Sequence, residues 1–432
     1  MNRFLYSIVF YLATPLLILR LLWRSIRSPA YLQRWSERFA FYSSSGSSSS
    51  RQETPVVFHA VSVGEVHAAV PLIRQLQGLN PDLTILVTTS TPTGSGRVTE
   101  LLGDKVRHVY LPYDTPGAIK RFLDYFCPKV FVIMETELWP NLIHHCHTRD
   151  IKVVLANARL SGKSFSNYKK IPGLARTMLQ ELTRVTVQSP HDSERLLALG
   201  LSPEKVNVTG SIKFDMACDE QQIQGAKQDR QTFASRPVLV AASTRTADGV
   251  VEDEKVLAAF RILLEAYPDL LLVLVPRHPE RFTRVFELAV EKGFNVARRS
   301  TDSSPAQEHQ VYLGDTMGEM QYYLALADIV FVGGSLVPTG CQNIIEPAAL
   351  GLPVITGPSL FNFQAVSELL LAAQAMQVIQ NEQELAGAVS DLLASKERRE
   401  SMGRAAREVV QANQGATEKN LGLIDGLLNR NI

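Results

Sequence analysis

The chain carries neither GxGxxG nor GxxxxGK[ST], which removes the usual dinucleotide-binding and Walker-type nucleotide readings. It has no GxSxG elbow, which counts against an α/β-hydrolase. Its four cysteines (Cys127, Cys146, Cys218 and Cys341) lie far apart with no CxxC pair, so a disulfide scaffold and a zinc ribbon are excluded, and they read as reduced thiols. Charge of one sign is also missing. The formal net charge is +1, so nothing in the bulk of the chain indicates a nucleic-acid binder. What is present is ordinary globular material: 432 residues at 45% hydrophobic, enough for two to three domains at roughly 150 residues each.

The near-neutral total hides an asymmetry. Residues 1–40 hold six arginines (Arg3, Arg20, Arg24, Arg27, Arg34, Arg38) against Glu37 alone, a local +5 that leaves −4 for the rest. Phe4 to Leu19 contains no charge, and apolar character resumes from Leu21 to Trp23. A helix from Phe4 to Trp23 rises about 30 Å, one hydrocarbon thickness. A cleaved signal peptide fits poorly, because no small-residue cleavage site precedes the arginines. A spanning anchor, a helix lying in the membrane interface and a buried hydrophobic helix all remain open. Pro15 and Arg20 weaken the spanning reading. The arginine collar favours a cytoplasmic location for the chain beyond it. Ser43 to Ser50 is a low-complexity stretch expected to act as a flexible linker.

From Pro55 onward short β-branched runs alternate with helical spacing. The first set is Val56–Val61, Leu83–Thr88, Val106–Tyr110, Val130–Met134, Lys152–Leu155, Arg184–Val187 and Val206–Val208. The second is Val238–Ala241, Leu270–Val275, Val311–Leu313, Ile329–Val332, Pro353–Ile355 and Met376–Ile379. Continuous apolar strands separated by helices indicate parallel sheets covered on both faces. The expected architecture is therefore α/β: two Rossmann-like, doubly wound domains with a cleft between them, preceded by a membrane-anchor helix. The polar stretch Asp215–Arg236 separates the two sets. Helices over Leu392–Val410 and Thr417–Leu428 are expected to cap the second domain, with a crossing back to the first left open.

In such sheets ligands bind beyond the carboxyl ends of the strands. Those positions hold Glu65, then Glu135 and Glu137, Asn157, and Lys213; in the second set they hold Arg245, Arg277 and His278, Gly318 and Glu319, Gly333 to Ser335, Asn343 and Glu346. Two crowded rims suggest a two-substrate enzyme. Glu65 follows a glycine at a strand-to-helix turn, where a carboxylate either complements a helix N-terminus or serves as a general base whose pKa Glu135 and Glu137 would raise. Gly314–Met320 offers backbone N–H groups at a helix start. Glu346, ahead of Gly351 and Pro353, suits a carboxylate that chelates a ribose diol, or is simply part of a helix-strand junction. Arg277 can grip a phosphate bidentately. His144, His145, Cys146 and His147 resemble a metal cluster in composition only, with no second ligand pair at zinc spacing.

Ten segments in order give a specific resemblance: HAVSVGEV (59–66), TTSTPTG (88–94), METELWPN (134–141), NARLS (157–161), GSIKFD (210–215), PRHPERF (276–282), GDTMGEM (314–320), FVGGSL (331–336), NIIEP (343–347) and GPSLFNF (357–363). Together they resemble the 3-deoxy-D-manno-octulosonic acid (Kdo) transferases of lipopolysaccharide assembly, glycosyltransferase family 30. The resemblance implies a B-type glycosyltransferase fold at the cytoplasmic face of the bacterial inner membrane. It also implies inverting, metal-independent transfer of Kdo from CMP-Kdo to the 6′-hydroxyl of the tetraacyl lipid A precursor (lipid IVA), with no cofactor and no nucleic-acid partner. Carried onto this sequence, Glu65 would be the general base, and Glu135 and Lys213 would stabilise the transition state. CMP would be held by Pro276 and Arg277, by Met317, Gly318 and Glu319, and by Asn343, Ile344, Ile345 and Glu346.

The domain expectation is then an anchor with its basic collar (1–40), a linker (41–54), an acceptor-binding domain (55–212), an interdomain linker (213–234) and a donor-binding domain with the C-terminal helices (235–432). Arg245, Gln342 and Ser359 stand where this family often has histidine. Other readings are a nucleotide-sugar transferase or epimerase of the same fold, or a catalytically silent membrane-tethered assembly factor. The latter would be expected to lose Glu65, Lys213, Arg277 or Glu346, all of which are present.

Overall fold

The computed structural model describes residues 2–42, 55–215, 218–233, 236–302 and 304–429. The Ser-rich linker, from residue 43 onward, lies outside the described residues. The chain divides into two units, Met1–Asp215 with Gln414–Ile432, and Met216–Asn413.

The first unit is built on β1 (Val56–His59), β2 (Ile85–Thr89), β3 (Arg107–Tyr110), β4 (Val130–Met134), β5 (Lys152–Ala158), β6 (Arg184–Val187) and β7 (Val206–Val208). They form one parallel sheet in the order β3-β2-β1-β4-β5-β6-β7. The second unit carries β8 (Val238–Thr244), β9 (Thr246–Ala247), β10 (Val250–Val251), β11 (Leu271–Pro276), β12 (Val296–Arg298), β13 (Val311–Leu313), β14 (Ile329–Val332), β15 (Val354–Thr356) and β16 (Met376–Val378). Its main sheet is parallel, ordered β12-β13-β11-β8-β14-β15-β16, while β9 and β10 pair as a small antiparallel ribbon. Each order reverses beside its first strand, at β1/β4 and at β8/β14, which are the positions where doubly wound sheets open a crevice.

Local chemistry explains the alternation. The central strands are buried on both faces, as their apolar runs require. Helices after β1, β2 and β6 start on the side chains of Ser62, Thr91 and Ser189, each accepting a first-turn N–H. Pro92, Pro116, Pro140, Pro172 and Pro190 open helices at a position where their missing N–H costs nothing.

Two boundaries depart from expectation. The stretch expected as an interdomain linker contains the helix Glu220–Gln231, capped by Asp219 and packed in the second unit. Only Ala226 of that helix is buried, so it shows almost no apolar stripe; polar contacts hold it instead, including Gln222 to the Gly318 carbonyl and Tyr322 to Asp229. The last helix, Ala416–Asn429, belongs to the first unit rather than to a domain ending at 432. Asp215 accepts the Gly415 and Thr417 N–H groups at its start, and Leu421 and Ile424 join Val56 and Val130 in the core.

The N-terminal helix spans Arg3–Arg27 with Pro15 inside it. Most of its apolar side chains are exposed, as at Phe4, Leu12, Leu16 and Ile26. Its first half is nevertheless fastened to the first unit. Ser7 and Arg3 donate to Asn141 Oδ1 at 2.9 and 3.3 Å, and Tyr11 accepts the Gly117 N–H. Asn141 is in turn held by Asp114, which accepts its N–H and that of Leu142.

Candidate active site

Glu65 sits in the first turn of the helix Val63–Leu79, immediately beyond β1. Its Oε2 accepts the Val61 N–H and its Oε1 accepts the Ser62 hydroxyl, both at 2.8 Å. The Glu65 N–H returns to Ser62 Oγ at 3.4 Å, so Ser62 caps the helix while the Glu65 carboxylate reaches back past it to the Val61 N–H. The carboxylate at the strand-end rim is thus also the one that complements the helix N-terminus. Burial pushes its pKa up to about 7, against the lowering effect of those two hydrogen bonds, and the charges of Glu135 and Glu137 push in the same direction as burial. The neighbouring carboxylates therefore contribute, but loss of water is the larger cause. Gly94 permits this packing: a Cβ there would lie 3.2 Å from the Val61 carbonyl oxygen.

Beyond β4, Glu135 adopts a left-handed backbone, with φ of 56°. Its carboxylate lies 3.5 Å from Lys213 Nζ, and both side chains are partly exposed. Lys213 rides on the short turn Ile212–Phe214, pinned where Asn157 Oδ1 accepts the Ile212 N–H at 3.1 Å. Asn157, at the end of β5, is itself left-handed. Glu137 is pushed above the usual carboxylate range by burial and by Glu135. The first-unit residues singled out from the sequence therefore gather on one rim: a carboxyl group poised near neutrality and an ion pair, at adjacent strand ends.

In the second unit, Arg277 follows β11 and its N–H donates to the Thr244 carbonyl at 3.0 Å. Glu346 lies in the short helix Ile345–Ala349; its Oε1 accepts from Asn343 Nδ2 at 3.1 Å, and Asn343 Oδ1 accepts the Ile345 N–H. Burial raises the Glu346 pKa, while Asn343 and the charge of Arg277 oppose that rise, which places guanidinium and carboxylate in one electrostatic neighbourhood. Gly318, with φ of 83°, turns the chain into the helix Met320–Ala325, and Met317 is exposed beside it. Glu319 does not face outward as a free ligand group: Arg299 and Thr316 bind its carboxylate. Pro276 marks a register shift between β11 and β8. A cavity of about 410 Å³ lined by Pro358, Phe361, Gln364 and Glu368 includes none of these residues.

The glycine-rich loop after β14 behaves differently from its sequence. The buried Glu252 carboxylate accepts N–H groups from Arg245, Gly334, Ser335 and Leu336 at 2.6–3.1 Å. Amides that would otherwise attract an anion are already occupied. Asp253 beside it anchors Arg281, whose Nη1 reaches the Thr244 carbonyl at 2.7 Å. Glu252 and Asp253 are not among the candidates read from the sequence, where they stand only as part of the acidic run Glu252, Asp253 and Glu254 at a helix start. Gln342 and Ser359 both bond within the same loop system, to the Gly340 carbonyl and the Gly340 N–H. Among the described residues no His/Cys/Asp/Glu group is arranged to hold a metal ion, and His144 pairs with Glu181 at 2.7 Å.

A family model described as 3-Deoxy-D-manno-octulosonic-acid transferase (kdotransferase) matches residues 33–216. A 3-deoxy-D-manno-octulosonic acid transferase of Haemophilus influenzae is 43% identical over 434 residues, covering 100% of both chains. The protein of the same description from Bordetella pertussis is 37% identical over 380 residues, 87% of each. The crystal structure of a glycosyltransferase from Rickettsia africae superposes with a TM-score of 0.57 at 14% identity, covering 87% of this chain and 99% of that one, a likeness of fold alone. With a relative of that identity matched from end to end, and the family's motifs distributed over two parallel-sheet units, the chain belongs to the 3-deoxy-D-manno-octulosonic acid transferases and is a glycosyltransferase that moves Kdo.

Proposed function

We propose that the reaction is the inverting, metal-independent transfer of Kdo from CMP-Kdo to the 6′-hydroxyl of the tetraacyl lipid A precursor. The observation that carries this reading is Glu65, a carboxyl group near neutrality fixed by two hydrogen bonds beside the Glu135–Lys213 pair. Each Glu65 oxygen accepts one bond from the protein and keeps a second lone pair for a proton. The acceptor oxygen attacks the anomeric carbon, the bond to the CMP phosphate breaks, and the hydroxyl proton passes to Glu65. One base on the face opposite the leaving group is what inversion requires. Lys213 lies at that rim as a fixed positive charge for the developing transition state, held in place by Glu135.

Arg277 supplies donors to the departing phosphate, and the amides of Met317 to Glu319, in the turn just ahead of the short helix Met320–Ala325, are assigned the same task. Asn343 and Glu346 take the ribose, with Ile344 and Ile345 shaping the turn between them. This division leaves no charge-neutralising step that calls for a divalent ion.

The N-terminal helix supports attachment to the cytoplasmic face of the inner membrane. Its first half is hydrogen-bonded to the first unit, Arg20 and Arg24 line a cavity of that unit, and most of its apolar side chains are exposed, which supports the reading of a helix lying in the membrane interface.

The test is mass spectrometry of the tetraacyl precursor after incubation with CMP-Kdo and EDTA, with Glu65→Ala alongside. A Kdo-sized increment lost in the variant supports the assignment. No increment from folded wild type that binds CMP points to another acceptor.

A further inference from the structure

Arg38 is a buried cation without a counter-charge among the described residues. It lies in the turn Trp35–Phe39 and is 4% exposed. Its guanidinium stacks on Tyr110 at 4.2 Å, and Nη1 donates to the Ser90 carbonyl at 3.0 Å. Nε and Nη2 are buried and meet no acceptor among those residues. The adjacent Glu37 is taken by Arg34 at 2.8 Å. Burying an unpaired charge is expensive, so an arginine in this state signals a missing anion.

The cavity that Arg38 lines has a volume of about 470 Å³, within the range of small-ligand sites, roughly 300–1,000 Å³. Arg20 and Arg24 of the N-terminal helix line it too, with Ser90, Thr91 and Tyr113. Among the described residues no carboxylate forms an ion pair with any of these three arginines. Two acids share the wall, Asp114 and Glu137. Asp114 is engaged by the N–H groups of Asn141 and Leu142, and Glu137 is near enough to Glu65 and Glu135 for their charges to interact. Val61 also borders the cavity, and its N–H is the group that holds Glu65 Oε2.

We propose that this cavity binds a phosphomonoester of the amphiphilic acceptor. Arg38 makes the inner, desolvated contact and Arg20 and Arg24 the outer ones, so the phosphate sets the position from which the acceptor hydroxyl reaches Glu65. The inference rests on the acceptor reading above. A bilayer phospholipid headgroup offers the same chemistry, and the experiment separates the two sources.

Acceptor KM is measured in neutral detergent micelles for the phosphorylated tetraacyl precursor and for its enzymatically dephosphorylated form. Wild type is compared with Arg38→Gln and with Arg20→Gln/Arg24→Gln, whose exposed side chains make the second variant safe for folding; CMP binding reports an intact second unit. Each variant is expected to raise KM for the phosphorylated acceptor about tenfold or more and leave the dephosphorylated one unchanged. An equal rise for both acceptors overturns the proposal. So does an Arg38→Gln variant that keeps its phosphate discrimination but loses co-sedimentation with phosphatidylglycerol vesicles, since that assigns the cavity to a headgroup. If wild type transfers Kdo to neither acceptor, the proposed reaction fails. Equilibrium binding of the two precursors then decides the cavity by itself: a preference for the phosphorylated form that Arg38→Gln abolishes supports it, and equal binding refutes it.

Discussion

Ser62 and Glu65 exchange two hydrogen bonds: the Ser62 hydroxyl donates to Glu65 Oε1 at 2.8 Å, and the Glu65 N–H donates to Ser62 Oγ at 3.4 Å. A helix cap and a proposed catalytic base are therefore one construction, and the cap sets both the position and the proton affinity of the base. Replacing Ser62 by Ala removes a bond that stabilises the ionised carboxylate. The cap loss is expected to cost about 1 kcal/mol, and the acidic limb of kcat/KM is expected to move to higher pH. A loss of rate with an unmoved limb would show that Ser62 acts only on folding.

Because burial holds the Glu65 pKa near 7, kcat/KM of the wild type should climb from pH 6 to pH 8 and then level. Glu65→Gln keeps both capping contacts, with its oxygen toward Val61 N–H and its amide toward Ser62 Oγ. Activity should fall about 10²–10⁴-fold with the fold intact. A raised pKa also fixes the sign of the effect on stability. The neutral carboxyl is favoured in the native state, so this stabilisation is full below the ordinary carboxylate pKa and lost as pH rises through about 7. Denaturant unfolding should show the wild type losing stability relative to Glu65→Gln between pH 5 and pH 8.

Lys213→Met removes the cation 3.5 Å from Glu135 while keeping most of the stem. The expected result is a kcat reduced at least tenfold with little change in CMP affinity, and partial recovery in Lys213→Arg. Unchanged kcat in Lys213→Met would take the residue out of the reaction.

Glu252→Gln should be felt in stability rather than chemistry. One carboxylate oxygen would become an NH2 group facing two backbone N–H donors, at a conservative cost of about 2 kcal/mol or more. Calorimetry of the full chain should show the second unit melting earlier; an unaltered transition would mean the loop after β14 finds other acceptors.

Removing residues 414–432 strips Ile424 and Leu421 from the first unit's core, each worth about 1.5–3 kcal/mol when fully buried, and leaves Asp215 without the N–H groups it accepts. Proteolysis should then attack the first unit ahead of the second. The reverse order would contradict the assignment of the last helix.

Strand positions were readable because a central parallel strand must be apolar at successive residues, and Val130–Met134 and Arg184–Val187 lie where the pattern places them. Val296–Arg298 escaped because it is a short edge strand ending on Arg298, which reaches Asp315 at 2.8 Å. The helix Glu220–Gln231 escaped because it packs through polar side chains and lacks a 3.6-residue apolar period. Glu65, Glu135 and Lys213 were legible as strand-end residues. That Glu65 also complements the helix start was left open by the sequence, and the structure shows it bonded to the cap residue Ser62 in both directions.

Hydrophobic period and turn chemistry are local, so the two sets of strands, the order of the motifs along them and the placement of acidic and basic candidates at strand ends were all written in the sequence. Partner choice was settled by the tertiary structure alone. Glu252 takes N–H groups some 80 residues away, Asp215 caps a helix that starts 200 residues later, and Arg38 is buried without a counter-charge among the described residues. A carboxylate or guanidinium looks the same in sequence whether it finds a backbone donor, an opposite charge or none. Which of these occurs depends on distant loops that packing alone brings together, and it sets the proton affinity and ligand affinity on which the chemistry depends.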